Sequence, residues 1–386
     1  MTATISAWTP AEGTEEFFIV VKPEGGGTFF EQLDRLFQEY EAARADLALA
    51  PDTGTTTTIL TSDSANQEPA IRAHAGFARL ADGGMTVTIV QQPPAKSKLA
   101  LVAYHVRRKA GTESRATLAI GGVKPGAMGL RVLSGPYEFF YFRHLLAAEG
   151  TNAAEQTANL FGVPGQALQS HGVRLPEVVR TWIYGNGIDA HYGGISSGRN
   201  RVFDRFGISS RTGFPASTGI EGRSFDYRDL VLLDVFAVKG LEYGQNRRME
   251  CPTHMNPTVE YGVTFERGRA VVFGDRRHLY ISGTASIDNT GEIVHVGDIS
   301  RQTERAIENV SVLLGNSGAR LEDMRYLLVY LRDVHDGDAV EAVLAKSGLA
   351  EVPRVIVLGP VCRPGWLVEM EGVAVDGKGD ARFAPF

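Results

Sequence analysis

The sequence VVRTWIYGNGID (Val178–Asp189) is similar to the later stretch MRYLLVYLRDVHD (Met324–Asp336). Each is followed by a helix-like stretch and then by two strand-like runs, PASTGI with DLVLLDVFAVKG in the first case and VPRVIVLGPV with LVEMEGVAV in the second. Runs of β-branched and aromatic residues predict strands, and apolar residues at helical spacing predict helices. Both copies therefore predict the order strand, helix, strand, strand, which indicates a duplicated α+β unit.

The two copies differ at two positions where charge matters. The second copy has Arg354 after its proline, where the first copy has Ser217. The second copy has Glu369 in its last strand, where the first has Leu232. This difference predicts one working anion site on a doubled scaffold.

The chain length and the repeat together predict two domains. A chain of 386 residues is longer than one average domain, and its 43% apolar residues are enough for ordinary packed cores. We place the boundary near residue 245, with an N-terminal α+β domain at 1–245 and a C-terminal domain that carries the site at 246–386. The first copy begins near Asn152, and the residues before it read as an α+β segment with edge-strand character.

Composition excludes several classes of function. The net charge of -6 argues against a nucleic-acid partner, since no basic face is implied. The two cysteines, Cys251 and Cys362, make no disulfide framework and favour a reducing cytoplasm. The start of the chain has no signal-peptide pattern, and no apolar run approaches the ~20 residues of a membrane span. The histidines lack metal-ligand spacing and no phosphate-binding glycine loop is present, so we expect neither metal nor cofactor.

The strongest candidates for chemistry lie near the C-terminus. Arg354 offers a planar fork for a carboxylate, and neighbouring antiparallel strands could bring it to Glu369 at one end of a pocket. Glu369 is flanked by apolar residues, which would raise its pKa toward that of a useful general acid. Glu371 shares the same strand face, so the pattern alone does not choose between the two acids. The alternative is a surface ion pair with no chemistry.

An aromatic stretch in the first half, SGPYEFFYFRHLLA (Ser134–Ala147), has two interpretations. It reads as a core strand that runs into a helix. Alternatively, Tyr137 or Arg143 lines a pocket for a ring-shaped acid.

Several long motifs together resemble a known fold. ISGTASIDNTGEIV, the QTERAIENVSVLL helix, DMRYLLVYLRD, VPRVIV and VEMEGVAV resemble the YjgF/RidA family, a small α+β unit that forms trimers with sites between subunits. The better copy spans roughly Tyr261–Val375, and roughly Asn152–Gly240 resembles the same unit in degenerate form. RVLSGPYEFFYFRH, RTWIY, PASTGI and GPVCRPGWLVE are similar to two-unit chains of the chorismatase family. The resemblance implies an α+β fold of two fused YjgF/RidA-like (chorismate-mutase-like) units, with mixed sheets, packed helices and a pseudo-oligomeric arrangement.

The resemblance also implies roles for individual residues. Glu369 would be the proton donor, and Arg354 would bind a substrate carboxylate. The other implied contacts with substrate are a tyrosine at the pocket entrance, backbone groups of the SGTAS motif, a pocket-wall cysteine and two residues of the first domain: Tyr261, Gly283, Thr284, Cys362, Tyr192 and Arg199. The segment around Tyr192 departs from the family, because Gly193-Gly194 stand where larger residues are usual.

The implied activity is cofactor-free conversion of chorismate to pyruvate. Two subtypes exist, one adding water to give a dihydroxycyclohexadiene carboxylate and one forming a hydroxybenzoate. A cysteine and a glutamate at the positions of Cys362 and Glu369 go with the second subtype, whereas water-adding members more often have glutamine at the latter. We therefore expect 3-hydroxybenzoate. The alternatives are a RidA-like imine or enamine hydrolase and a non-catalytic metabolite-binding protein. A fused pseudo-oligomer favours a monomer.

Overall fold

Three β-sheets of the same design make up the chain. The computed structural model describes residues 3–23, 26–108 and 112–386, except for the side chains of Pro176 and Tyr261. We call residues 3–107 the first unit, 113–239 the second unit and 246–376 the third unit; each contains one sheet.

The second and third units have the same order of elements, and the first unit differs from them only in having two strands, not three, before its long helix and two helices, not one, in its crossover. The first unit contains β1 (Ala3–Trp8), β2 (Glu15–Val21), α1 (Phe29–Asp46), β3 (Gly54–Thr61), α2 (Ser64–Ala73), α3 (Ala75–Asp82), β4 (Thr86–Gln91) and β5 (Leu99–Arg107). The second contains β6 (Glu113–Leu118), β7 (Met128–Ser134), β8 (Tyr137–Leu146), α4 (Ala153–Ser170), β9 (Val178–Gly185), α5 (Ile188–Arg205), β10 (Ala216–Glu221) and β11 (Val231–Lys239). The third contains β12 (Asn246–Met249), β13 (Gly268–Val272), β14 (Arg277–Ala285), α6 (Ile299–Asn316), β15 (Met324–Leu331), α7 (Gly337–Leu344), β16 (Arg354–Leu358) and β17 (Val368–Asp376).

The strand orders show that the units are copies. They are β1-β2-β5-β3-β4, β10-β9-β11-β8-β7-β6 and β12-β13-β14-β17-β15-β16. In each unit the strand after the long helix pairs in parallel with the strand after the crossover helix. The last strand of the unit lies between that parallel pair and the strand before the long helix. The predicted α+β class and duplicated unit are confirmed, and the first unit adds a third copy that the sequence repeat does not predict.

Local sequence explains where the long helices begin and what they bury. Thr28 and Glu31 form a capping box at the start of α1, and Asp298 caps α6 through the backbone N–H of Arg301. The predicted apolar stripe of α6, which includes Ala306 and Val310, is buried against its own sheet. Each long helix thus covers one face of one sheet, and the other faces of the three sheets turn toward each other.

A central cavity lies where the three sheets meet. Aromatic residues from all three units line it, among them Tyr104, Tyr141, Trp182, Tyr280 and Tyr326. Among the described residues, no helix is long and apolar enough to cross a membrane.

The aromatic stretch Ser134–Ala147 corrects one expectation. It forms the strand β8 up to Leu146 and does not run into a helix, because the next helix begins only at Ala153. Phe140 and Phe142 pack into the core under α4, while Phe139 and Tyr141 pack into the core on the opposite face. A strand buried on both faces is apolar throughout, and such a run resembles a helix segment in sequence. Arg143 lines the central cavity.

Candidate active site

A cleft between the second and third units holds Glu369. We call it the Glu369 cleft. It encloses about 470 Å³ of empty space, solvent included. Its wall from the second unit comes from α5 and β10, and its wall from the third unit comes from β14, the start of β17 and the loops beside them. The lining residues are Tyr192, Ser217, Gly219, Val263, Phe265, Arg267, Gly283, Ala285, Ile287, Cys362, Arg363, Trp366 and Glu369.

Glu369 is a buried acid that lines this space. Its side chain is 6% exposed. Burial raises the pKa of the carboxyl to about 8, and the charge of Glu371 adds to the rise, whereas Arg180 and Arg267 act against it. The carboxyl is therefore protonated near neutral pH and can donate a proton to a bound molecule.

Glu371, two residues along β17, has a structural role. Arg180 of β9 donates to it at 2.5 Å, and the indole N–H of Trp182 donates at 2.8 Å. The hydroxyl of Thr218 also donates to this carboxylate and accepts from the backbone N–H of Gly283 at 2.9 Å. The two acids thus differ in their surroundings, because hydrogen-bond donors occupy Glu371 whereas Glu369 lines the cleft.

Gly283 makes room for the acid. A β-carbon at this position would overlap with the carboxyl of Glu369, so only glycine lets that side chain lie across β14. The second unit differs at the equivalent positions. His144 occupies the place of Gly283, because its backbone N–H donates to the hydroxyl of Thr88 on β4, as that of Gly283 donates to Thr218 on β10. The buried Leu232 occupies the place of Glu369. Between the first and second units, the side chains of His144 and Leu232 therefore occupy the positions that Gly283 and Glu369 have in the Glu369 cleft.

Two arginines bring positive charge to the Glu369 cleft. Arg267 is 7% exposed and donates to the backbone carbonyl of Asn256 at 2.9 Å and 3.1 Å. The guanidinium of Arg363 lies 5.0 Å from the ring centroid of Trp366. A cleft with two guanidinium groups and one neutral acid is suited to a ligand with carboxylates.

Cys362 and Tyr192 both line the cleft. Burial raises the pKa of the Cys362 thiol to about 12, and the charge of Glu369 adds to this rise. A hydrogen bond with Tyr192 lowers the pKa but does not offset the effect of burial. A thiol that stays protonated is a poor nucleophile. Cys362 therefore shapes the wall and is not suited to attack a bound molecule.

Arg354 lies outside this cleft, which corrects the sequence expectation. It is on the edge strand β16, and β15 separates that strand from β17. Its guanidinium donates to Glu341 and to the backbone carbonyls of Leu349 and Ala350. Arg354 and Glu369 are apart because each cleft forms between two units. The Glu369 cleft takes its edge strand, β10, from the second unit and its acid from the third. The edge strand of the third unit, β16, which contains Arg354, therefore faces a different cleft.

The other predicted contacts have different outcomes. Gly283 lines the cleft, but its backbone N–H is already bonded to Thr218. Thr284 is buried and donates to the carbonyl of Ser282, and Arg199 is buried on α5; neither lines the cleft. Tyr261 ends a short 3-10 turn, and its side chain lies outside the described part of the structure.

Arg267 and Arg363 are the functional candidates that sequence reasoning missed. Arg363 directly follows Cys362, which the sequence analysis names as a pocket-wall residue, so its position next to Cys362 could have identified it. Val263, Phe265 and Arg267 alternate along the chain and all line the cleft. A period of two is typical of one face of an extended segment.

The described residues contain no group of three or more His, Cys, Asp or Glu side chains placed to hold a metal ion. The chemistry that the cleft itself can supply is proton donation and anion binding.

Comparisons with known proteins agree with this architecture. The sequence pattern of the family described as Endoribonuclease L-PSP matches residues 269–376, within the third unit. The 3-aminoacrylate deaminase RutC of Acinetobacter baylyi is 34% identical over 97 residues, which are 25% of this chain and 77% of that protein. A chorismatase of Streptomyces hygroscopicus is 28% identical over 253 residues, 61% of this chain and 71% of that protein. A crystal structure described as a chorismatase matches with a TM-score of 0.65 and 21% identity, over 95% of this chain and 100% of that one.

The chain contains a unit of the RutC family and is similar to chorismatases over most of its length. The structural match over nearly the whole chain extends the chorismatase fold to the first unit, which the motifs quoted above do not cover. The Endoribonuclease L-PSP match lies within the third unit and includes Glu369, Gly283 and Cys362.

Proposed function

We propose that this protein converts chorismate to pyruvate and 3-hydroxybenzoate without a cofactor, and that Glu369 starts the reaction. The observation that carries the proposal is a buried carboxyl whose pKa is about 8, in a cleft with two guanidinium groups. The similarity to chorismatases supplies the substrate class. Chorismate has two carboxylates, which Arg267 and Arg363 are placed to bind, and an enolpyruvyl ether whose CH2 carbon accepts a proton.

The chemistry follows from the positions of these groups. Glu369 protonates the enolpyruvyl CH2 and gives an oxocarbenium ion at the ether carbon. The arginines hold the carboxylates and orient the ether toward the acid. The substrate's negative charge favours the protonated form of Glu369 further. The C4 hydroxyl oxygen then attacks ring carbon C3, breaks the bond from C3 to the ether oxygen and releases pyruvate, while the hydroxyl proton returns to the Glu369 carboxylate. Opening of the resulting epoxide at C4 and loss of the C3 proton give 3-hydroxybenzoate, with no net uptake of water.

The subtype of product rests on two residues. Cys362 and Glu369 are the pair that the family resemblance links to hydroxybenzoate formation. The alternative product is a dihydroxycyclohexadiene carboxylate, which requires one water molecule for each chorismate consumed.

A second candidate function is hydrolysis of imines or enamines. It is favoured by the relative named 3-aminoacrylate deaminase, which is 34% identical to this chain over 97 residues. The same acid could protonate an enamine carbon. A cleft with two guanidinium groups fits a dicarboxylate better than a small monocarboxylate, which favours chorismate.

One incubation tests the proposal. Purified protein is mixed with chorismate without added metal or cofactor, and the products are resolved by chromatography and mass. Pyruvate with 3-hydroxybenzoate supports the full proposal, and pyruvate with a water-added diol would keep the substrate and overturn the product. Unchanged chorismate would overturn the proposal, and assays with enamine substrates would then separate the deaminase from a binding protein.

The pH dependence of turnover follows from the raised pKa of Glu369. The acid must be protonated to act, so kcat/KM should be constant below neutral pH and fall about tenfold per pH unit above pH about 8. The profile of kcat should break at higher pH, because the bound substrate's carboxylates disfavour ionisation of Glu369. Steady-state rates of pyruvate release between pH 6 and 10 measure both, with circular dichroism as a control for folding. A flat profile would contradict the assigned role.

A matched pair of arginine variants tests which arginine binds substrate. Arg363→Ala should raise KM about tenfold or more, since it removes a charged hydrogen bond to a carboxylate. Arg354→Ala should leave KM within about twofold and instead lower the melting temperature, because it loses hydrogen bonds to Glu341 and to three backbone carbonyls. Both values come from substrate-dependence curves and thermal unfolding. The reverse result would restore the sequence-based assignment of Arg354.

We also expect a monomer. The three units already pack on one another within one chain, so the arrangement needs no second copy. Light scattering after size-exclusion chromatography should give a mass near 41.8 kDa, and a multiple of that mass would contradict the expectation.

A further inference from the structure

The central cavity is built from corresponding strands of all three units. Each unit supplies two alternating residues from the strand before its long helix and two from the strand after it. Examples are Tyr141 with Arg143 on β8 and Tyr326 with Leu328 on β15. Because residues that alternate along a strand share one face of a sheet, the cavity lies between the three faces that turn away from the long helices.

The size and the walls of the central cavity suit an aromatic ring. The cavity contains about 820 Å³ of empty space, solvent included, against about 470 Å³ for the Glu369 cleft on the same measure. Its wall residues stack in pairs, with ring centroids 4.8 Å apart for Phe18 and Tyr104 and 4.9 Å apart for Tyr141 and Phe236. Pockets with such walls favour a ligand that is itself aromatic.

The charged groups on the cavity wall are paired with opposite charges among the described residues. The carboxylate of Glu16 accepts from Arg276 at 2.7 Å and lies 3.0 Å from the Nε2 atom of His278. Arg143 lies 3.2 Å from a carboxylate oxygen of Asp234; burial raises the pKa of this carboxyl, and the guanidinium limits the rise. A charged ligand would bring an uncompensated charge into this buried space, which is costly. The cavity therefore favours an uncharged molecule.

Two tyrosine hydroxyls on the cavity wall are left without a hydrogen-bond partner. Tyr141 is 8% exposed, and within the described ranges of the chain neither its hydroxyl nor that of Tyr326 pairs with another protein group. Tyr104, in contrast, donates its hydroxyl to Glu16 at 2.6 Å. Burial raises the pKa of Tyr141 and of Tyr326, so both hydroxyls stay protonated and can donate as well as accept. Since buried hydroxyls are almost always hydrogen-bonded, these two are suited to a ligand that has a hydroxyl of its own.

We propose that the central cavity binds a small uncharged molecule with one aromatic ring and one hydroxyl, that is, a simple phenol. The ring packs between the aromatic walls, and the hydroxyl pairs with the hydroxyls of Tyr141 and Tyr326. The site differs from the Glu369 cleft in its ligand, because a phenol has no carboxylate for an arginine to bind. The inference does not require the proposed reaction.

The test uses 4-fluorophenol, which is uncharged at pH 7 because phenols have a pKa of about 10. Its binding is titrated by ¹⁹F NMR and calorimetry on the wild-type chain, on Tyr141→Phe/Tyr326→Phe, on Val102→Phe and on Tyr243→Phe. The first variant removes the two hydroxyls, the second fills the cavity from β5, and the third removes a hydroxyl from a fully exposed tyrosine that does not line the cavity. We expect a saturable component that weakens about tenfold in the first variant, disappears in the second and is unchanged in the third.

Three results would overturn the inference. Absence of saturable binding to the wild-type chain would leave the cavity to solvent. Undiminished binding in Tyr141→Phe/Tyr326→Phe or in a folded Val102→Phe would place the probe elsewhere or remove the hydroxyls from its recognition. Displacement of the probe by excess 4-fluorobenzoate would place it in the Glu369 cleft. The phenylalanine pair keeps the shape of both side chains, so it decides the question if circular dichroism shows that Val102→Phe does not fold. Binding is measured without turnover, so its outcome is separate from that of the proposed function.

Discussion

Glu369→Ala should lower pyruvate release by roughly 10²–10⁴-fold, which is the contribution expected of a positioned general acid. The loss should appear in kcat, because Arg267 and Arg363 remain to bind the substrate. The fold should persist, since the substitution removes a carboxyl that is buried at a cost and is neutral in the folded protein near pH 7. Rates of pyruvate release and thermal unfolding of the same preparations measure the two effects.

The control for this variant is Glu304→Ala. Glu304 is exposed on α6, so the same substitution there should change neither rate nor stability. If Glu369→Ala retained nearly wild-type turnover, Glu369 would have no part in the mechanism, and Glu371 would become the acid to test.

Arg180→Met should destabilise the protein by about 3–5 kcal/mol, the usual cost of leaving a buried charge without its partner. Arg180 and Glu371 are both almost completely buried, at 2% and 1% side-chain exposure, and they join the second unit to the third. Urea unfolding measures the loss. The double variant Arg180→Met/Glu371→Leu should recover part of it, because an apolar pair no longer leaves a buried charge.

The matched control is Arg228→Met. The Arg228 side chain is 88% exposed in its ion pair with Asp226, and such surface pairs contribute about 0–1 kcal/mol. A loss of less than about 1 kcal/mol in Arg180→Met would mean that the buried pair does not hold the two units together.

The local features of the fold are readable from the sequence because they depend on nearby residues. The cap at Asp298 and the buried residues of α6 depend on residues within or next to that helix. Glu369 and Glu371 stand out because acids lie between apolar neighbours in a strand, where burial is expected, and the family resemblance points to Glu369. Cys362 and Tyr192 are found through the family motifs, and they line one cleft.

The arrangement between units is not readable in the same way. The first unit escapes detection because its sequence lacks the motifs that make the second and third units recognisable as copies. Arg354 and Glu369 are close in sequence and belong to one unit, which suggests one site. The clefts, however, form between units, and β15 separates the two strands. A sequence motif within one unit does not show which other unit supplies the opposite wall of a cleft.

The placement of three copies in one chain changes what a single mutation can do. In an assembly of identical subunits, one codon specifies the same side chain at every equivalent position. Here Glu369, Leu232 and Ala100 are encoded separately, although they occupy the same strand position in the three copies. A substitution at one of these positions therefore changes one cleft and leaves the equivalent positions of the other two units as they were.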